Sequence, residues 1–143
     1  MQQTLSNQQL TEIANEFGTP VYVYHAERIT EQYNKLKNAF SKSNARFFYA
    51  CKSLTNVNVL KHILSIGASL DCVSIHEVKL GLMAGIETKN ILYTPNCVDF
   101  DEIVEAKDLG VNINIDNISI LEQFGTRFGN SYPVCIRLNP HIM

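Results

Sequence analysis

The sequence predicts an α/β fold, in the form of an incomplete (β/α)8 barrel of parallel strands, and three observations support it. Short apolar runs typical of buried strands alternate with helical patterns from about residue 46 onward. These runs repeat every 22 residues, so that they share a common spacing. Glycines follow the predicted helices, where the backbone commonly turns with a positive φ. Regular alternation of this kind indicates parallel strands joined by right-handed crossovers.

The first part of the chain is predicted to contain two helices with a short strand between them. A helix is expected over residues 5–17, with Ser6 or Thr11 as its N-cap. A Gly-Thr-Pro turn then leads to a predicted strand at residues 21–24. Apolar residues at helical spacing predict the second helix over residues 26–40.

Five strand-like runs follow, and four of them precede a helical segment. The equivalent positions of the repeat are Tyr49, Asp71, Tyr93, Ile115 and Arg137. The predicted strands are residues 46–50, 69–73, 90–94, 112–115 and 134–139, and the predicted helices are residues 56–66, 75–84, 100–109 and 119–128.

Helix-start signals support several of these boundaries. Ser74 with Glu77, and Ser119 with Glu122, match the capping box, in which a serine and an acidic residue three positions later satisfy each other's backbone N–H groups. Asp99 with Glu102 is a looser version of the same signal. Helices are therefore predicted to begin close to these residues.

Two architectures fit the alternation, an open doubly wound sheet and a barrel. The even 22-residue spacing favours the barrel, because an open sheet usually breaks its rhythm at a switch point. A complete barrel needs about 250 residues. Since the chain has 143 residues, we expect only the first part of the barrel, and we expect the chain to be truncated.

Composition narrows the function classes. The chain is 45% hydrophobic and 18% charged, which argues against disorder, and its net charge of −2 makes nucleic acid an unfavourable partner. No apolar run approaches the length of about 18 residues needed to cross a membrane, and the polar start does not match a secretory signal. A cytoplasmic protein is therefore expected.

The four cysteines, Cys51, Cys72, Cys97 and Cys135, form no C-x-x-C pair, and no histidine pair has the spacing of zinc ligands. We interpret them as buried thiols near strand ends, with no metal site.

Lys52 is the strongest candidate for chemistry. It ends the apolar run 47–51, and lysine is rarely placed in such a segment because desolvating an ammonium is costly. At the end of a strand it can face a ligand crevice, where its amine is a nucleophile toward a carbonyl carbon. The alternative is a strand-end lysine that simply reaches solvent.

Four segments in order resemble the diaminopimelate decarboxylase family, which belongs to the alanine-racemase-like group of pyridoxal-phosphate enzymes with a TIM-barrel domain. They are Gly-Thr-Pro-Val-Tyr-Val-Tyr at 18–24, Tyr-Ala-Cys-Lys-Ser at 49–53, Asp-Cys-Val-Ser-Ile-His-Glu at 71–77 and Arg-Leu-Asn-Pro at 137–140. The likeness covers nearly the whole chain. It departs from the family at Ser53 and Leu54, because these two residues differ from those that usually follow the lysine in the family signature.

The resemblance implies roles for four residues. Lys52 looks like the catalytic lysine that holds pyridoxal 5′-phosphate through a Schiff base. Asp71 and Glu77 match positions that line the cofactor pocket, and Arg137 is similar to an arginine near the phenolic oxygen of the cofactor. From the residues alone, Asp71 can equally be a polar group at the barrel mouth, and the capping box already explains Glu77.

The resemblance also implies the organisation and activity of an intact parent protein. Residues 1–25 would join a C-terminal β-domain, and residues 26–143 would form the first part of the barrel that binds the cofactor. The parent would be a homodimer that decarboxylates meso-diaminopimelate to L-lysine, and the 143-residue piece alone is expected to be inactive. The alternatives are an ornithine- or arginine-type decarboxylase, an amino-acid racemase, a non-catalytic module that carries pyridoxal phosphate, and an aldolase that uses a lysine imine.

Overall fold

The structure is a computed structural model that describes residues 5–140, and the chain divides into two units, residues 1–41 and 42–143. The first unit contains α1 (Asn7–Phe17) and α2 (Ala26–Ala39), which confirms both predicted helices. Ser6 caps α1 by accepting a hydrogen bond from the Gln9 backbone N–H, and the Gln9 side chain completes a capping box. His25 caps α2 with its ring nitrogen.

The predicted strand at residues 21–24 is wrong. These residues make no ladder with any strand in the described part of the chain, and Tyr22 is 87% exposed. Alternating valine and tyrosine suit a strand, but a strand exists only where a neighbour accepts its backbone hydrogen bonds. The further expectation that residues 1–25 join a β-domain stays a prediction.

The second unit is a five-stranded parallel sheet with helices on its connections. The strands are β1 (Phe48–Ala50), β2 (Ser69–Cys72), β3 (Ile91–Tyr93), β4 (Asn112–Ile115) and β5 (Cys135–Ile136). The helices are α3 (Val57–Ser65), α4 (Ile75–Met83), α5 (Phe100–Leu109) and α6 (Ile118–Phe128). The predicted elements are therefore confirmed, although β1 and β5 are shorter than expected.

Strand order follows chain order, β1-β2-β3-β4-β5, and every neighbouring pair is parallel. An open doubly wound sheet changes direction at a switch point, whereas this sheet adds each new strand on the same side. The topology is therefore that of the first five strands of a barrel, as the even spacing predicted.

The core lies between the helices and one face of this sheet. Its centre is formed by residues that alternate along the strands, including Leu70, Ile91 and Ile113, each no more than 1% exposed. Helix α4 packs closely against the sheet because it has glycine at position 81, where a Cβ atom would lie 2.6 Å from Leu70 Cδ2.

The helix ends confirm some predicted caps and correct others. Ser74 Oγ accepts from the Glu77 backbone N–H as predicted, but the Glu77 side chain accepts from Val73 N instead of Ser74 N, so the predicted capping box is only half formed. Asp99 occupies an N-cap position without a side-chain bond. The predicted cap at Ser119 is wrong, because α6 begins one residue earlier and Asn117 caps it. Asparagine accepts from two backbone N–H groups there, so it is the better-placed acceptor.

All four glycines that follow the predicted helices have a positive φ, which confirms the C-terminal signals at Gly67, Gly85, Gly110 and Gly129. Among residues 5–140, no helix combines the length and the apolar character that crossing a bilayer requires.

Candidate active site

Lys52 lies directly beyond the C-terminal end of β1, in a single 3-10 turn formed by Cys51–Ser53. The turn is closed by a hydrogen bond from Leu54 N to Cys51 O, 3.1 Å long. Cys51 is fully buried in the core, whereas Lys52 is exposed. Within residues 5–140 the Lys52 ammonium makes no ion pair. The exposed Lys52 side chain is therefore accessible to a ligand at this end of the sheet.

Asp71 lies on β2, next to the strand that carries Lys52. It is the register partner of Ala50, so Lys52 follows two residues beyond that pairing. Asp71 is half-buried, and its carboxylate accepts a hydrogen bond of 2.7 Å from the Thr94 hydroxyl. The structure thus brings Lys52 and Asp71 to the C-terminal ends of neighbouring strands, where ligands bind in parallel α/β folds.

Glu77 has a different position. It lies in the first turn of α4, it is 8% exposed, and its Oε2 accepts from the Val73 backbone N–H at 2.8 Å. Its carboxylate shares a cluster with the Cys51 and Cys72 thiols, with one donor atom from each residue lying within 4.8 Å of the others. Since Cys72 follows Asp71 along β2, the thiols lie on the helix-facing side of the sheet, away from Asp71.

This cluster offers donor atoms of the kind that bind metal ions. Burial, reinforced by the Glu77 charge, raises the pKa of Cys51 to about 11, and burial raises the pKa of Cys72 further. Core packing and the cap of α4 account for the three residues, so we assign no metal site here.

Arg137 follows β5 directly, and its backbone N–H continues the ladder to Ile115 O at 2.9 Å. Its side chain is exposed and makes no ion pair with any described carboxylate. A guanidinium without a carboxylate partner is a suitable ligand for an anion. Arg137 lies just beyond the fifth strand and Lys52 just beyond the first, so the sheet alone does not bring the two into contact.

Two tyrosines at equivalent positions of the repeat, Tyr49 and Tyr93, face the helices. Tyr93 has no exposed surface, and its hydroxyl donates to Glu102 Oε2 at 3.1 Å. Burial is the main cause that raises the pKa of Tyr93, and the Glu102 carboxylate adds to it. Tyr49 packs against the same core. Successive side chains of a strand point to opposite faces of the sheet, so each tyrosine lies on the helix-facing side while the residue after it lies on the other side.

Sequence reasoning missed Thr94. This residue follows β3 at the same end of the sheet as Lys52, and its backbone N–H bonds Cys72 O at 2.7 Å. The signal was present, since Thr94 is a hydroxyl residue at the C-terminal end of a predicted strand, directly before Pro95. Nothing local revealed that its hydroxyl would reach Asp71, a residue on another strand.

The comparisons with known proteins identify the class to which this fold and site belong. Residues 26–143 match the family described as pyridoxal-dependent decarboxylase, pyridoxal binding domain. The chain therefore belongs to this family, and pyridoxal phosphate is the cofactor that the family implies for it.

Individual relatives are similar over nearly the whole chain. The diaminopimelate decarboxylase of Methanothermobacter thermautotrophicus is 42% identical over 131 residues, which cover 90% of this chain and 31% of that protein. The diaminopimelate decarboxylase of Campylobacter jejuni is 30% identical, covering 92% of this chain and 34% of that protein. The chain thus spans about a third of the length of the curated relatives that it matches.

Solved structures agree with the observed fold. A diaminopimelate decarboxylase from M. jannaschii in complex with L-lysine superposes with a TM-score of 0.82 at 27% identity, covering 94% of this chain and 33% of that chain. A lysine/ornithine decarboxylase from Vibrio vulnificus, complexed with putrescine, gives 0.83 at 28% identity, with 94% and 38% covered. These likenesses confirm the partial barrel.

The residues at the site fit pyridoxal phosphate. The cofactor carries an aldehyde, which needs a free primary amine, and Lys52 supplies one at the end of a strand. It also carries anionic groups, for which the Arg137 guanidinium, which has no ion pair within residues 5–140, is a suitable partner. Asp71 offers a half-buried carboxylate between these two residues in the strand order.

Proposed function

We propose that this chain forms the lysine-bearing part of a pyridoxal-phosphate-dependent decarboxylase that converts meso-diaminopimelate to L-lysine. The observation that carries the proposal is the exposed Lys52 amine, held in a fixed turn beyond β1 and free of any ion pair within residues 5–140. Its relatives with the highest identities among those described above are diaminopimelate decarboxylases, which supports the choice of substrate.

The mechanism assigns one task to each side chain. Lys52 Nζ would hold the cofactor through its aldehyde group, and the same amine would be placed to carry a proton at the reacting carbon. When bound, pyridoxal phosphate supplies an electron sink for the pair left by departing carbon dioxide. Asp71 orients the bound groups from β2, and Arg137 holds an anionic oxygen at β5. Glu77 stays a proposed cofactor-pocket residue. It would act by holding the Val73 backbone at the start of α4.

The turn that carries Lys52 favours this task physically. Cys51 is anchored in the core and Leu54 closes the turn by hydrogen bonding, so the backbone beneath Lys52 is held on both sides. A positioned amine loses less conformational freedom on reaction than a lysine on a mobile loop. The proposed homodimer follows from the family likeness and the proposed cytoplasmic location from the sequence features described above, and both are part of the proposal.

A second candidate is a decarboxylase for lysine or ornithine. The observation that favours it is the superposition with the Vibrio vulnificus enzyme, whose TM-score of 0.83 is close to the 0.82 of the M. jannaschii diaminopimelate decarboxylase. The two candidates share Lys52 and the cofactor, and they differ only in substrate.

The test uses the full-length protein that contains this chain. It is incubated with pyridoxal phosphate, treated with borohydride to make the bond between cofactor and lysine irreversible, and mapped by peptide mass spectrometry. We expect the label on the peptide with Lys52, and we expect carbon dioxide release from meso-diaminopimelate rather than from lysine or ornithine. Lys52→Ala should abolish both signals, whereas Lys61→Ala, at an exposed lysine on α3, should preserve them. Label at another lysine would refute the assignment.

A further inference from the structure

The hydrogen bond between Thr94 and Asp71 joins two strands at the proposed cofactor site. Thr94 Oγ1 donates to Asp71 Oδ1 at 2.7 Å, the distance typical of a hydroxyl bonded to an ionised carboxylate. Asp71 makes no ion pair within residues 5–140, and its second oxygen, Oδ2, has no hydrogen-bond partner there. The carboxylate is therefore fixed through one oxygen and free at the other.

Thr94 is itself held rigidly. Its backbone N–H donates to Cys72 O at 2.7 Å, so the residue is bonded to β2 through its main chain as well as through its hydroxyl. Proline follows at position 95 and restricts Thr94 to extended backbone conformations. A β-branched side chain also has few χ1 rotamers. The donor consequently keeps one orientation whether or not a ligand is present.

We infer that Thr94 is a positioning residue, which orients Asp71 so that Oδ2 remains available to the bound cofactor or substrate. This inference rests on the proposed function, because it requires a ligand at the mouth beside Lys52. Without the hydroxyl, the carboxylate of Asp71 could rotate about χ2 and would lose its preorganisation. Thr94 makes no contact with the reacting atoms in this account, and it acts through Asp71.

The test compares Thr94→Val with the wild type in the full-length protein. Valine keeps the branched shape and removes the hydroxyl, so the fold should persist. We expect cofactor affinity, measured by titrating the apo-protein with pyridoxal phosphate, to fall about 10-fold, the equivalent of one charge-assisted hydrogen bond. The visible circular dichroism of the bound cofactor, which reports its orientation, should change. Thr94→Ser should restore both readings.

Two controls separate positioning from general damage. Thr88→Val changes a threonine before β3, at the opposite end of the sheet, and should leave affinity and circular dichroism unchanged. In a double-mutant cycle, Thr94→Val should have little further effect once Asp71→Ala is present, because its action passes through that carboxylate. An additive effect of the two substitutions would overturn the inference.

The outcomes also distinguish this inference from the proposed function. If the wild type binds pyridoxal phosphate and Thr94→Val binds it equally well, with the same circular dichroism, Thr94 does not position Asp71 and only this inference fails. If the wild type binds no pyridoxal phosphate, the proposed function fails and the inference falls with it.

Discussion

The sulfur atoms of Cys51, just beyond β1, and Cys72, at the end of β2, lie within 4.8 Å of each other, and neither residue has exposed surface. Cys72 points to the face opposite to Asp71, which precedes it on β2, and Cys51 is followed directly by the exposed Lys52. One short stretch of each strand therefore supplies both a core contact and a candidate site residue.

This burial predicts unequal thiol reactivity. In the folded full-length protein, a thiol reagent such as Ellman's reagent should modify the exposed Cys97 quickly, whereas Cys51 and Cys72 should react only at the rate of unfolding. The measurement is peptide mapping after timed labelling. Because Cys135 is also exposed, replacing both Cys97 and Cys135 with serine should remove the fast phase. Fast labelling of either buried cysteine would contradict the structure.

The same burial predicts a dependence of stability on alkaline pH. The pKa of Cys51 is raised from 9.0 to about 11, so its protonated form is favoured by folding. Its contribution is complete below the unfolded pKa and is lost as the pH rises through the folded pKa. We expect the free energy of unfolding in urea to be lower at about pH 10.5 than at about pH 8. Cys51→Ala should reduce that difference, and an unchanged difference would argue against the buried thiol.

Gly81 and Gly125 form a matched pair for testing the packing of α4. A Cβ at Gly81 would lie 2.6 Å from Leu70 Cδ2 and 3.3 Å from Ile91 Cδ1, whereas a Cβ at Gly125 meets nothing within 4 Å. Gly81→Ala should lower the free energy of unfolding by about 1 kcal/mol, because overpacking exceeds the gain in helix propensity. Gly125→Ala on α6 should raise it by about 0.5–1 kcal/mol. Denaturant unfolding measures both, and a stabilising Gly81→Ala would show that Leu70 can move aside.

Asn117 is expected to stabilise the start of α6. Its Oδ1 accepts from Ser119 N at 2.8 Å and from Ile120 N at 3.3 Å. Asn117→Ala should lower the free energy of unfolding by about 1 kcal/mol. Ser119→Ala, at the residue that sequence alone favoured as the cap, should change it by less than about 0.5 kcal/mol. Equal effects of the two substitutions would instead support the capping box that the sequence predicted at Ser119.

Glu77 allows a stability role to be separated from a cofactor role. Its carboxylate accepts from the Val73 backbone N–H, a bond that glutamine can also make. Glu77→Ala should lower the free energy of unfolding by about 1–2 kcal/mol, and Glu77→Gln by much less. If Glu77 also contacts the cofactor, as the family likeness implies, Glu77→Gln should weaken binding of pyridoxal phosphate without this loss of stability. If binding of pyridoxal phosphate is unchanged, the role of Glu77 is only to stabilise the start of α4.

The amino-acid sequence by itself determined the order of helices and strands in the second unit, the parallel arrangement, and the lysine at the end of β1. These features depend on local periodicity, on glycines at helix ends and on the even spacing of the units, which a single chain carries in full. The motif around Lys52 is equally local, because an apolar run and the lysine that ends it are adjacent in the chain.

Only the tertiary structure decided which groups meet. Three contacts join residues on different elements. They are the hydrogen bond from Thr94 to Asp71, the cluster of Glu77 with two thiols, and the hydrogen bond from Tyr93 to Glu102. The unpaired segment at 21–24 has the same origin, because its sequence suits a strand but no described strand pairs with it. Local propensity selects an element, whereas register and the alternation of faces select its contacts, and these depend on the neighbouring strands.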